Sequence, residues 1–288
     1  TDKPMPDIFI PLQYLNGAKN KDRVSAKLVK WDKDDKKPVG EVTAIMSPED
    51  ENDAAMKELL AQAGFPLFFP QDVLEAAAEL PVVLDEAEIA KRRDCRDIKT
   101  FTIDPVDAKD FDDALSIRKL PSGLYEIGVH IADVSYYVLP DTDLDAEAYK
   151  RATSVYLPDR VNPMLPEKIS NELCSLRPNE DKFTFSAIFQ INDEAHVKQY
   201  WLGRTVIHSD KRYAYEDVQT IIDTSEGENV EDILLLHNLA QKFRQARFKK
   251  GAINFSSQEV RFILDENAKP IGITVKESKP AHQLIEEF

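Results

Sequence analysis

One segment constrains this chain more than any other: Thr102-Ile103-Asp104-Pro105-Val106-Asp107-Ala108-Lys109-Asp110-Phe111-Asp112-Asp113-Ala114-Leu115, with five aspartates between positions 104 and 113. Gathering so many carboxylates on a short connection between strand-like runs is unfavourable unless water or a cation screens them. Hard divalent ions take oxygen ligands, so a magnesium site is the sharper expectation. A pair of such ions about 3.5–4 Å apart suits phosphodiester hydrolysis. A solvated acidic loop is the plainer reading, and acidic clustering alone favours it. A calcium loop fails on spacing. Counting from Asp104, its third and fifth positions are Val106 and Ala108, Lys109 stands where glycine is needed, and Leu115 stands in place of glutamate. In a regular strand Asp112 and Asp113 face opposite ways, so convergence needs a bend or bulge.

Around this motif the pattern is α+β. Residues 1–47 read as short strands, with Ile8-Phe9-Ile10, the Asn16-Gly17 turn, Val24–Trp31 and Val39–Met46. They suggest an antiparallel barrel with too few strands to close. Residues 48–94 read as a helical connector, with one helix stopping at Gly64 and another before Pro81. From 95 to 288 strands and helices mix. Tyr125, Ile127, Val129 and Ile131 alternate as in a strand, and Phe183–Ile191 and Val197–Ile207 flank the turn Asn192-Asp193-Glu194 as a hairpin. A helix is expected from about Val230 to Lys249, then a hairpin around Asp265-Glu266-Asn267, then a helix from near Pro280.

At 288 residues the chain can bury a core without disulfides or structural metal. Its 37 basic and 52 acidic residues give a net charge of −15, opposite to the footprint of a simple nucleic-acid binder. Carboxylates gathered at one site change that inference, because bound cations place positive charge where a phosphate sits. Cys95 and Cys174 are the only cysteines, so no disulfide is expected. No apolar run approaches the ~20 residues of a membrane span and no signal region opens the sequence, so the chain reads as cytoplasmic. His130 reads as a partly buried histidine satisfied by backbone bonds, and no histidine is assigned a catalytic role.

The acidic string is similar to the signature of the RNB catalytic domain of the ribonuclease II / ribonuclease R family. Further similar strings follow in the same order: His130-Ile131-Ala132-Asp133-Val134-Ser135, Thr153–Pro158, Asn171-Glu172-Leu173-Cys174-Ser175-Leu176 and Gly251-Ala252-Ile253-Asn254-Phe255. The resemblance covers about residues 5–288 and is closer to the ribonuclease R branch.

It implies a partial cold-shock/OB-like β-barrel, then an incomplete mixed α+β RNB domain. It also implies a monomeric Mg2+-dependent 3′→5′ exoribonuclease that converts single-stranded RNA to nucleoside 5′-monophosphates. Asp104 and Asp113 would bind one magnesium, with Asp110 and Asp112 serving a second metal or the attacking water. Tyr156 and Phe255 would clamp the last bases by stacking, which is sequence-tolerant. Read without the family, both aromatics would be core residues. Tyr215, with Tyr213 as substitute, would help select the sugar, and Glu287 would lie near the terminal nucleotide. Arg177 stands where the family often has asparagine. The resemblance further implies that an essential arginine and a basic C-terminal RNA-guiding domain lie beyond this sequence. Two rival expectations stand beside it: a catalytically incompetent RNA- or protein-binding fragment, and a magnesium-dependent phosphohydrolase acting on small substrates.

Overall fold

The computed structural model describes residues 7–22, 24–32, 37–45, 48–253, 259–266, 269–276 and 278–288. Phe255, expected to clamp a base, lies outside the described residues. The chain divides into two compact units, Thr1–Phe68 with Leu264–Lys269, and Phe69–Ile263 with Pro270–Phe288.

In the first unit β1 (Val24–Lys30) and β2 (Val39–Ile45) pair antiparallel, and Phe9 forms a parallel bridge to Val39. Gly40 permits this close approach, because a Cβ there would lie 2.6 Å from Ile8 Cγ2 and 3.3 Å from the Lys27 carbonyl oxygen. The side-chain amide of Asn16 donates to the Val42 carbonyl at 2.7 Å, which ties the Asn16-Gly17 turn to the sheet. Helix α1 (Pro48–Gln62) buries Leu60 and is followed by Gly64 at φ +84°, the left-handed conformation that commonly stops a helix. Among the described residues these strands do not close a barrel, as the sparse strand pattern implies.

The second unit runs α2 (Gln71–Glu79), α3 (Glu86–Ile89), β3 (Arg93–Asp94), β4 (Thr100–Asp104), β5 (Asp113–Lys119), β6 (Tyr125–Ala132), α4 (Val134–Tyr137), α5 (Asp143–Arg151), β7 (Val155–Tyr156) and β8 (Val161–Asn162). A π-helical turn, Lys168–Leu173, leads to β9 (Glu180–Ile191), β10 (Val197–Ser209), β11 (Lys211–Ala214), α6 (Tyr215–Thr224) and α7 (Val230–Lys249). Then come β12 (Glu259–Leu264), β13 (Pro270–Lys276) and α8 (Pro280–Glu287). Seven strands form one mixed sheet in the order β11-β4-β5-β6-β9-β10-β3. Its edge strands β11 and β3 run parallel to their neighbours, and the inner pairs are antiparallel.

Apolar residues cover both faces of this sheet. Phe101, Ile103, Leu115, Ile117 and Ile127 pack with Val218 of α6, Ile233, Leu236 and Leu239 of α7, and Leu284 of α8. A second cluster joins Ala114, Ile188 and Ile207 to Val73 and Ala77 of α2, Leu144 of α5, and Ile169 and Leu173 of the π-helical turn. Two-sided burial changes the reading of β6. Ile127 is buried, but Ile131 is 48% exposed, while Glu126, Gly128 and His130 of the other register are buried.

His130 differs from its expected setting. It is fully buried, and its ring nitrogens bond to hydroxyls instead of backbone: Nδ1 to Ser186 Oγ at 2.6 Å and Nε2 to Ser116 Oγ at 2.8 Å. Burial lowers its pKa to about 4, so the ring is neutral at pH 7. The hydroxyl chain continues from Ser186 Oγ to Thr205 Oγ1 at 2.5 Å. Neither partner is near His130 in sequence, and the strand register supplies both. Gly128 makes room for the ring, since a Cβ there would lie 2.5 Å from both His130 Nε2 and Ser116 Oγ. Among the described residues no helix is long and apolar enough to cross a membrane, and Cys95 and Cys174 are free and buried.

Gly128→Ala should therefore destabilise the second unit by about 1–3 kcal/mol through overpacking. Chemical denaturation measures this, and a change within about 0.5 kcal/mol would contradict the packing described.

Candidate active site

Strands β4 and β5 deliver Asp104 and Asp113 to the two ends of the acidic loop. Strand alternation turns Phe101 and Ile103 towards the helices α6 to α8, leaving Thr102 and Asp104 on the opposite face. Asp104 is only 8% exposed, and its Oδ2 is buried with no hydrogen-bond partner. Burial raises its pKa to about 6, and the charges of Asp113 and Asp112 push the same way. The Thr102 hydroxyl and the Arg212 guanidinium oppose this, although neither makes a hydrogen bond to Oδ2.

Asp112 is also raised to about 6, first by burial of its carboxyl and then by Asp110 and Asp113, although the residue as a whole keeps an open surface. Burial raises Asp113 as well. The loop thus holds carboxyl groups whose charges repel one another, in a setting that favours an incoming cation.

Tyr156 reaches this loop from another direction. It sits on β7, paired to β8, and its hydroxyl donates to Asp110 Oδ2 at 2.8 Å. Burial of the phenol and the bond to Asp110 push its pKa to about 12. The residue nevertheless remains 65% exposed, so it is not the core residue that its type alone suggests. Buried Arg151 supports the ribbon from below, donating to Asn162 Oδ1 at 3.4 Å and to the Pro163 carbonyl at 3.2 Å.

The two tyrosines considered for sugar selection have different surroundings. Tyr213 is buried, its ring meets Phe101 edge-on, and its hydroxyl donates to the Glu228 carbonyl and accepts from Asn229. Tyr215 opens α6 immediately after Ala214, which pairs with Asp104. Burial and then the charges of Asp113, Asp104 and Glu286 push its pKa to about 12. Its ring stacks on His282 of α8 at 4.2 Å. Tyr215 is therefore the tyrosine brought beside the acidic loop.

Glu287 occupies the seam between α7 and α8, where Arg244 Nη1 and Arg247 Nε each donate to it at 3.1 Å. The hydrogen bond from Arg247 lowers its pKa most. Thus Glu286, and not Glu287, is the α8 carboxylate whose charge acts on Tyr215.

Residues that the sequence reading passed over hold the loop. Ser175 Oγ accepts from the Phe111 amide at 3.1 Å and donates to the Lys109 carbonyl at 2.8 Å. Arg212 donates to the Pro105 carbonyl. Ser175 lies in one of the strings that carry the resemblance, but nothing local reveals that it contacts a loop more than sixty positions away.

Among the described residues no group of three or more His, Cys, Asp or Glu side chains is arranged to hold a metal ion. An open carboxylate set still fits magnesium, which keeps several waters and commonly takes one or two protein carboxylates together with substrate phosphate oxygens. The unpartnered Asp104 Oδ2 is a donor suited to such an ion.

The family profile described as "RNB domain" matches residues 92–288. The chain belongs to the RNB-domain family. A cold shock domain profile matches residues 1–70, so the chain combines a cold-shock/OB-type domain with an RNB-type mixed α+β domain. It is 39% identical to ribonuclease R of Thermotoga maritima over 98% of this chain and 41% of that protein. It is 34% identical to the "Inactive exonuclease DIS3L2" of Arabidopsis thaliana over 100% of this chain and 30% of that protein. Among solved structures it resembles Mycoplasma genitalium ribonuclease R in complex with ribose-methylated single-stranded RNA. The TM-score is 0.84 at 26% identity, covering 98% of this chain and 45% of the other. The chain thus spans less than half the length of these relatives.

The raised pKa of Asp104 gives a signed prediction for the RNB domain without metal. A carboxyl that is harder to ionise when folded destabilises the fold while it is ionised. That penalty is complete above about pH 6 and fades as pH falls towards the ordinary value of 3.8. In EDTA, Asp104→Asn should therefore melt a few degrees above the parent at pH 7, with the gap closing by about pH 4. A gap independent of pH would contradict the desolvation described.

Proposed function

We propose that this RNB-domain chain carries the catalytic aspartates of a magnesium-dependent exoribonuclease, which shortens single-stranded RNA from the 3′ end and releases nucleoside 5′-monophosphates. The observation that carries this reading is the acidic loop, where Asp104, Asp112 and Asp113 are raised in pKa and the hydroxyl of the exposed Tyr156 meets Asp110. Asp104 and Asp113 are assigned to one magnesium, and Asp110 and Asp112 to the second or to the attacking water. Bound magnesium would supply positive charge to the phosphate and acidify water.

The chain's own groups do the rest. Tyr156 stacks against a terminal base, in the site otherwise completed by Phe255. Asp112, with its raised pKa, accepts a proton from the attacking water. Water adds to the last phosphorus, the bond to the 3′ oxygen of the preceding nucleotide breaks, and that oxygen takes up a proton. Tyr215 lies beside Asp104 and Asp113, where a hydroxyl donor can test for the ribose 2′-hydroxyl. Glu287, assigned to the terminal nucleotide, is paired with Arg244 and Arg247. The enzyme is taken to be monomeric and cytoplasmic.

A second reading, a catalytically incompetent RNA-binding fragment, draws support from the lack of any three-residue metal-holding group among the described residues. The inactive Arabidopsis relative adds to it.

Digestion of 5′-labelled single-stranded RNA separates the readings. With magnesium we expect a ladder shortening from the 3′ end, none on DNA of the same sequence, and at least about a hundred-fold loss in Asp112→Asn. Tyr156→Ala should weaken RNA binding by about 1–3 kcal/mol. RNA bound equally with or without metal and left at full length would favour the second reading.

A further inference from the structure

Like charges on residues 104–113 favour an open, extended loop when no cation is bound, yet side chains from two other segments hold this loop at both ends. Ser175 is fully buried, and its hydroxyl brackets Asp110 by accepting from the Phe111 amide at 3.1 Å and donating to the Lys109 carbonyl at 2.8 Å. The next residue continues the attachment, with the Leu176 amide donating to the Phe111 carbonyl at 2.8 Å. At the other end Arg212 donates to the Pro105 carbonyl, and its guanidinium carbon lies 5.5 Å from the centre of the Phe111 ring. The parallel pairing of β11 with β4 sets Arg212 opposite Thr102, on the face that carries Asp104.

We propose that Ser175 and Arg212 are positioning residues that form a two-point clasp, holding the acidic loop in its working shape before metal or RNA arrives. This inference rests on the catalytic reading above and extends it to residues outside the acidic motif. Ser175 fixes the backbone on either side of Asp110 without altering the charge. Arg212 ties Pro105, the residue after Asp104, to the ring of Phe111 and places a positive charge under the cluster. A loop held in this way binds its cation without first being ordered, which is the advantage of a preorganised electrostatic site.

The test uses the whole chain in EDTA and reads amide hydrogen exchange residue by residue, followed by Mn2+ binding measured by electron paramagnetic resonance. In Ser175→Ala the Phe111 amide should exchange about tenfold faster or more, while amides of Ile127 and Val129 in β6 keep their protection. In Arg212→Lys, which keeps the charge but loses the planar fork, the released amide should be that of Ala108, which donates to the same Pro105 carbonyl at 3.1 Å. Both variants should need several-fold more Mn2+ for half-saturation.

Unchanged Phe111 exchange in Ser175→Ala, or unchanged Mn2+ affinity in both variants, would overturn the clasp. If Ser175→Ala loses protection throughout the sheet, Arg212→Lys decides through Ala108 and its Mn2+ affinity. Because exchange is read without metal or RNA, failure of the parent chain to shorten RNA would count against the catalytic reading and leave the exchange result standing.

Discussion

The carboxyl groups of Asp104, Asp112 and Asp113 are each harder to ionise in this fold than in water, because β4, β5 and the loop between them withdraw these carboxyl groups from solvent. Much of the second unit serves to keep them there. Phe101, Ile103, Leu115 and Ile117 anchor β4 and β5 in the helix-covered core, so the strand ends bearing Asp104 and Asp113 cannot drift apart without exposing apolar surface. Phe111 is buried inside the loop and fastens it to the opposite core. The hydrophobic effect thereby holds charges close together, and the proposed divalent cation would relieve their repulsion.

Around that centre, the side chains proposed for recognition arrive on separate elements. β11 pairs with β4 and runs directly into α6, so Tyr215 follows one residue after the partner of Asp104. α8 returns to stack His282 on Tyr215, and Glu287 holds α8 beside α7 through Arg244 and Arg247. Tyr156 comes in on the small β7–β8 ribbon. The buried ladder of Ser116, His130, Ser186 and Thr205 lies within the sheet, with its hydroxyl and ring groups paired to one another. Pairing of this kind lets the sheet tolerate polar groups at its centre.

What the sequence made legible is local. The acidic string, the strands on either side of it, the β9–β10 hairpin and the long helix Val230–Lys249 follow from periodicity and turn residues. The resemblance preferred Tyr215 to Tyr213, but no local pattern separates two tyrosines two positions apart; the pairing of β11 with β4 sets Tyr213 opposite Ile103 and starts α6 at Tyr215, next to the partner of Asp104. Ser175 and Arg212 were equally hidden, since each acts across a gap of more than sixty positions. His130 was misjudged in its partners for the same reason: serines on neighbouring strands, invisible to any local rule, take the place of backbone groups. Alternation in β6 predicted one buried face, whereas a sheet covered on both sides buries parts of each.

The most direct test of the account is to locate a cation. Crystals of the chain grown without RNA and soaked in Mn2+ would reveal the ion by its anomalous scattering. The account requires a peak bounded by the carboxyl groups of Asp104 and Asp113 that disappears in Asp104→Asn. Ordered acidic side chains with no peak between them, at Mn2+ concentrations that saturate magnesium enzymes, would contradict it.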